Sequence, residues 1–249
     1  MNDNQAITPY VAFILAAGLG TRLKTYTATM PKALVPVNGK PLLERLILKM
    51  KQQPIRRIVI NVHHFADQIV DFLNAHQNFG IDIVLSDERA ELLDTGGALV
   101  HAKSLLTDSP FFLVHNVDIV SNLQFSSLIN LFLESNALAM LAVRDRPTNR
   151  KFLFDDKLSL QGWQNSATDE TILLSKPALL LTELAFSGIH VLRNTVFDNI
   201  HQTGKFSIIK TYLELAKEHA IYGYRHDDDY WFDCGTPEQL TKIEQLSIN

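Results

Sequence analysis

Five short apolar, β-branched runs in the first part of the chain are separated by stretches with helical spacing. "VAFILAAG", "RRIVINV", "IDIVLSDE", "FFLVHNVDIV" and "ALAMLAVRD" read as strands. Between them, "PLLERLILKMKQQ", "FADQIVDFLNAH", "GGALVHAKSLL" and "FSSLINLFLES" read as helices. The first helix places Leu42, Leu43, Leu46, Ile47 and Met50 on one face, with Pro41 near its start. Strands that are apolar throughout are those buried on both faces. The alternation therefore predicts an α/β fold: a mixed, mainly parallel sheet with helices on both sides, Rossmann-like in layout.

The rhythm changes near residue 146. "KFLFDDKLSLQGWQN" reads as a hairpin turning at Asp155-Asp156, and "ELAFSGIHVL" as another strand. "FSIIKTYLELAKEH" is helical, and "AIYGYRHDDDYWFDCG" ends in a turn. "TPEQLTKIEQLS" closes the chain as a helix, with Thr236 as N-cap and Pro237 at its first position. No repeat, low-complexity tract or linker divides the 249 residues. The expectation is one domain: residues 9–145 form a nucleotide-type core, and residues 146–249 add a substrate or lid half to the same sheet.

Composition narrows the function. A net charge of −4, with both signs interspersed, argues against a nucleic-acid binder, which usually shows a basic excess. The one cysteine, Cys234, allows no intrachain disulfide and fits a reducing compartment. The first residues, "MNDNQAITPY", are polar, and the apolar runs are strand-sized. A cytoplasmic chain without a membrane segment is expected.

"GLGTR" directly after the first strand suggests phosphate binding, because glycines let backbone amides approach an anion closely. A dinucleotide fingerprint fails, since Leu23 stands where G-x-G-x-x-G needs its third glycine. No P-loop sequence is present. Arg22 supplies a forked donor for phosphate oxygens, and Lys32 follows Pro31 just before another apolar run. Such a loop could wrap a triphosphate. His63 and His64 follow a strand without a third ligand at zinc spacing. Cys234, Trp231 and the acidic run Asp227–Asp229 read as packing and a solvated turn. No Ser-His-Asp set or G-x-S-x-G elbow is apparent.

The stretch "LAAGLGTRLKTYTATMPKAL" resembles the signature of the sugar-nucleotidyltransferases, or NDP-sugar pyrophosphorylases, departing only at Thr25, where the pattern has proline. Three further stretches resemble that family in the same order. "LLDTGGAL" matches a glycine-rich turn at the nucleotide base, "HNVD" matches N-G-D with Val117 in place of glycine, and "WFDCGTP" matches W-x-D-x-G-T-P.

The resemblance implies a nucleotide site at Ala16, Ala17, Gly18, Gly20, Thr21, Arg22, Thr95, Gly96 and Gly97. It implies Arg22 and Lys32 as catalytic, Asp118 and Asp233 as ligands of Mg²⁺, and Gly188, Glu183 and Lys176 at the sugar. The implied reaction joins a nucleoside triphosphate to a sugar 1-phosphate and releases pyrophosphate. The "LDTGG" form is similar to that of uridylyltransferases acting on N-acetylmuramate 1-phosphate, which favours UTP over the guanylyl and thymidylyl alternatives. A phosphocholine cytidylyltransferase and a catalytically weak nucleotide-binding regulator are the rival readings.

Overall fold

The computed structural model describes residues 7–174 and 180–246. The chain opens with β1 (Tyr10–Leu15), then the short helix α1 (Lys24–Thr27), a two-residue ribbon of β2 (Pro36–Val37) and β3 (Lys40–Pro41), and α2 (Leu42–Lys51). It continues through β4 (Ile55–Val62), α3 (Ala66–Ala75), β5 (Ile83–Asp87), α4 (Asp94–His101), α5 (Lys103–Leu106) and β6 (Phe111–Asn116). Next come β7 (Ile119–Ser121), α6 (Phe125–Glu134), β8 (Ala139–Arg144), β9 (Arg150–Phe154), β10 (Leu160–Asn165), β11 (Glu170–Leu173) and β12 (Thr182–Arg193). The last elements are α7 (Ile208–Leu215), β13 (Ile221–Arg225), β14 (Trp231–Asp233) and α8 (Pro237–Gln245).

Ten strands make the central sheet, in the order β11-β10-β9-β12-β6-β1-β4-β5, with β8 branching from β12 and β13 pairing with β8. β1 runs parallel to β4 and β6, and β4 parallel to β5. The second half of the chain joins through β12, which is antiparallel to β6, β8 and β9. This is the expected α/β fold, and both halves do share one sheet.

Alternate residues of β1 feed the two faces, as a pleated strand requires. Tyr10, Ala12 and Ile14 pack with α2, α3 and α6. Val11 and Phe13 pack on the other face with α4, α5 and α7. A third cluster joins Leu240 and Ile243 of α8 to Leu23, Val35, Val37 and Cys234, so the C-terminal helix clamps the loop that follows β1. Thr236 caps that helix by accepting from the Gln239 amide at 3.4 Å.

Three elements differ from the sequence expectation. The apolar run 111–120 does not continue as one strand. It breaks after Asn116, and β7 leaves the sheet to pair antiparallel with β14. The helix expected from Gly96 begins at Asp94 and breaks at Ala102. The hairpin at Asp155 turns as expected, with Asp155 Oδ1 accepting from the Lys157 and Ser159 amides, but it extends into a third strand, β11.

Phe13 is fully buried at the centre of the sheet. Phe13→Ala should destabilise the fold by about 3–5 kcal/mol, through lost burial and the cavity left behind. Urea unfolding measures this directly.

Candidate active site

β1, β4, β5 and β6 run in one direction, so their carboxyl ends share an edge, where open α/β sheets bind ligands. A cavity of about 420 Å³ opens there. Ala16, Ala17, Gly18, Gly20, Thr21, Arg22, Lys32, Thr95 and Asp118 all line it, together with Asn61, Glu88, Asn116, Val117, Lys205 and Gly235.

Asn61, near the end of β4, holds the loop after β1. Its Oδ1 accepts from the Ala16 amide at 2.6 Å and the Ala17 amide at 3.2 Å, and its Nδ2 donates to Glu88 Oε1 at 2.8 Å. Glu88 is buried, and burial raises its pKa. The two glycines differ in role. Gly20 has φ +62°, and a Cβ there would meet Thr27 Cγ2 at 2.7 Å. A Cβ on Gly18 would meet nothing within 4 Å, so its missing side chain leaves space beside the backbone.

The charged groups come from three separate segments. Lys32 starts a short 3-10 turn after Pro31, is buried, and donates from Nζ to the Asp118 carboxylate. Asp118 sits at the break between β6 and β7, and its carbonyl accepts from the Cys234 amide at 2.8 Å. Val117 has no positive φ, so a β-branched residue there is unstrained. The β7–β14 ribbon pairs Ile119 with Asp233 and so carries the second carboxylate close to the first. Asp233 Oδ2 is 3.7 Å from Arg22 Nη2, while its Oδ1 is buried without a hydrogen-bond partner. A Cβ at Gly235 would collide with Arg22 Nη2 and lie 2.6 Å from Asp233 Oδ1.

An unpartnered buried carboxylate oxygen beside a second carboxylate is the donor chemistry a hard divalent cation takes. No group of three His, Cys, Asp or Glu side chains able to hold a metal occurs among the described residues. A cation here would need further oxygens from a bound phosphate.

A second cavity, of about 850 Å³, shares Arg22 with the first and is lined by Asp233. Arg146, Arg150 and Lys210 bring positive charge, and Trp163, Phe152 and Phe186 bring aromatic surface. The Arg146 guanidinium lies 4.3 Å from the Trp231 ring centroid and donates to the Phe186 carbonyl at 3.2 Å.

Several expected residues lie elsewhere. Gly96 and Gly97 are outside the cavity lining. Their amides donate to the Phe206 carbonyl at 2.9 and 3.2 Å, and a Cβ on Gly97 would collide with the Gly204 carbonyl. Their small size serves packing against the loop before α7. Thr95 reaches the cavity and also accepts from the Ile208 amide at 3.0 Å. Gly188, with φ +73°, lies where the register of β12 shifts against β8, and a Cβ there would meet Asn116 Nδ2 at 2.7 Å. It lets β12 pass close under Asn116. Glu183 pairs with Lys151 at 3.3 Å and lines neither cavity. Lys176 lies outside the described residues.

A serine–histidine contact escaped the sequence reading. Ser187 Oγ is 2.7 Å from His226 Nε2, and His226 Nδ1 is 3.4 Å from Asp229 Oδ2. Ser187 is fully buried, so no substrate reaches it, and burial lowers the His226 pKa to about 4. The set is structural. Cys234 is equally buried, and its thiol is pushed up to about 12. Asn61 carried a usable signal, a lone amide near the end of an otherwise apolar strand. Glu88, Lys205, Arg146, Arg150 and Lys210 carried none, because only the fold brings them to the cavities.

The family described as nucleotidyl transferase matches residues 11–248. Two N-acetylmuramate α-1-phosphate uridylyltransferases are similar along their whole length. That of Caulobacter vibrioides is 29% identical over 244 residues, 95% of this chain and 96% of its own. That of Neisseria meningitidis serogroup B is 29% identical over 239 residues, 95% of this chain and 97% of its own. A UDP-glucose pyrophosphorylase solved with UDP-glucose shares the fold, with a TM-score of 0.78 at 16% identity over 96% of this chain and 98% of that one. The chain belongs to the nucleotidyl transferase family and, within it, to the sugar-nucleotidyltransferases.

Asn61→Ala should cost about 1–3 kcal/mol, because two buried amides and Glu88 lose their partner. Thermal unfolding should show a lower midpoint, and titration calorimetry a weaker nucleotide. Iodoacetamide at pH 8 should leave Cys234 unmodified in the folded protein, as mass spectrometry can report.

Proposed function

We propose that the chain transfers the uridylyl group of UTP to a sugar 1-phosphate, N-acetylmuramate 1-phosphate first among the candidates, and releases pyrophosphate. The observation that carries this reading is that Lys32 and Asp118 line one cavity, Asp233 lines a second, and Arg22 lines both and lies 3.7 Å from Asp233. One cavity has the glycine loop a triphosphate needs. The other is cationic and aromatic, as a phosphorylated sugar needs. Arg146, Arg150 and Lys210 suit an acceptor with an acid group besides its phosphate, and N-acetylmuramate is such a sugar. The name of the two full-length relatives supports the same pair of substrates.

The reaction brings two anions together, so its chief obstacle is charge repulsion. The amides of the Gly18–Gly20 loop receive the triphosphate. Arg22, which lines both cavities, is placed to hold phosphate oxygens as pyrophosphate departs. Lys32, fixed by Asp118, stabilises the charge that develops at the α-phosphate. Mg²⁺ held by Asp118 and Asp233 would neutralise phosphate oxygens of both substrates. The attacking phosphate oxygen is already ionised, so no general base is required. Catalysis is alignment plus electrostatics.

Lys32→Ala and Asp118→Ala should each lower kcat by about 10²–10³-fold while the fold persists. Near-normal turnover in either variant would remove that residue from the mechanism. The reading itself is tested by pyrophosphate release with Mg²⁺, pairing UTP, GTP, dTTP and CTP with sugar 1-phosphates and phosphocholine. Release with UTP and N-acetylmuramate 1-phosphate is expected. A strict preference for another nucleotide would replace the substrate assignment. Nucleotide binding without release in any pairing would favour a regulator.

A further inference from the structure

A third cavity, of about 370 Å³, lies apart from the two that flank the catalytic groups and shares no lining residue with either. α2 and the residue before β3's end supply Arg45, Lys49 and Lys40; Ile119, Val120 and Ser121 of β7 form another wall, with Tyr230 beside them. Among the described residues no carboxylate lines it. His115 also lines it, but burial lowers its pKa to about 3, so it stays neutral. The positive charge comes from Lys40, Arg45 and Lys49.

Lys49 is held at contact distance by neutral groups. It is half-buried, and Nζ donates to the Ser121 carbonyl at 2.6 Å and sits 4.5 Å from the Phe125 ring centroid. Among the described residues no carboxylate forms a salt bridge with it; Asp229 acts on it at longer range and favours its charged form. Burial lowers the Lys49 pKa to about 8. A half-buried ammonium held at contact distance by a carbonyl and a ring alone is incompletely compensated, and an anion entering this cavity would add an opposite charge beside it.

The location gives the cavity a consequence. β7 begins one residue after Asp118, and its partner strand β14 ends at Asp233. The cavity wall is thus the ribbon that carries both carboxylates. Arg45 donates to the Val37 carbonyl at 2.7 Å, on the segment leading from Lys32 into α2. An occupant would touch both supports of the Lys32–Asp118 pair.

We propose that this cavity is a second anion site, taking a small phosphate-bearing molecule through Lys49 and Lys40, and that its occupancy alters turnover through the β7–β14 ribbon. The link to turnover rests on the nucleotidyl-transfer reading; the binding does not.

Titration calorimetry with inorganic phosphate separates the two. Wild type, Lys49→Met, Lys40→Met and Lys32→Met are compared, with circular dichroism as the check on folding. Lys49→Met should weaken one phosphate-binding event by about tenfold or more, the loss of a charge-assisted contact, and Lys40→Met should weaken the same event. Lys32→Met should retain it. Phosphate binding lost only in Lys32→Met, or absent from the wild type, would overturn the site. Phosphate should also change the wild-type kcat but act only on KM in Lys49→Met, each compared with the same protein's turnover without phosphate. A wild-type kcat indifferent to phosphate, with the binding event present, would overturn the coupling.

Discussion

The contact between Lys32 and Asp118 joins segments 86 residues apart in the chain. One leaves β1 through the glycine loop; the other ends β6 and turns into β7. The pair lies at the floor of the cavity, with Lys32 buried and Asp118 nearly so. Removing two charges from water is costly, and such a pair contributes little net stability. Its value lies in position. A lysine held beside a carboxylate at the carboxyl edge of a parallel sheet is fixed before substrate arrives, so little reorganisation is needed during reaction.

Much of the remaining architecture keeps that pair in place. Asn61 ties the backbone before the glycines to β4 and Glu88. α8, with Leu240 and Ile243, packs on Leu23 and Val35 and braces the loop from outside. Gly235 permits Arg22 to approach Asp233, and Gly188 permits β12 to approach Asn116. Three of these supports come from the second half of the chain, which explains why both halves build one sheet rather than two domains.

The core was legible because its signals are local. β1, β4, β5 and β6 are each built on a short apolar run, and α2 shows its buried face in five residues. The loop after β1, with Gly18, Gly20, Arg22 and Lys32, was legible through one contiguous motif, whereas Glu88 and Lys205 reach the same cavity from segments with no such signal. What lay beyond the sequence depends on register. The break after Asn116 is invisible, because Val117 and Ile119 are as apolar as the strand before them, yet that break sends β7 to β14 and brings Asp118 to Asp233. Gly96 and Gly97 read as ligand-facing glycines, but they answer to the close passage of Gly204 and Phe206. The basic residues of the second cavity sit on β9, α7 and the loop after β8, and no spacing rule links them.

A direct exchange of one phosphoanhydride for another across this edge requires the reaction to run in both directions. The decisive measurement is the incorporation of labelled pyrophosphate into nucleoside triphosphate, starting from UDP-N-acetylmuramate and Mg²⁺. Labelled UTP is expected, with sugar 1-phosphate formed in equal amount. Labelled triphosphate from no sugar nucleotide at all, with folded protein that still binds nucleotide, would contradict it.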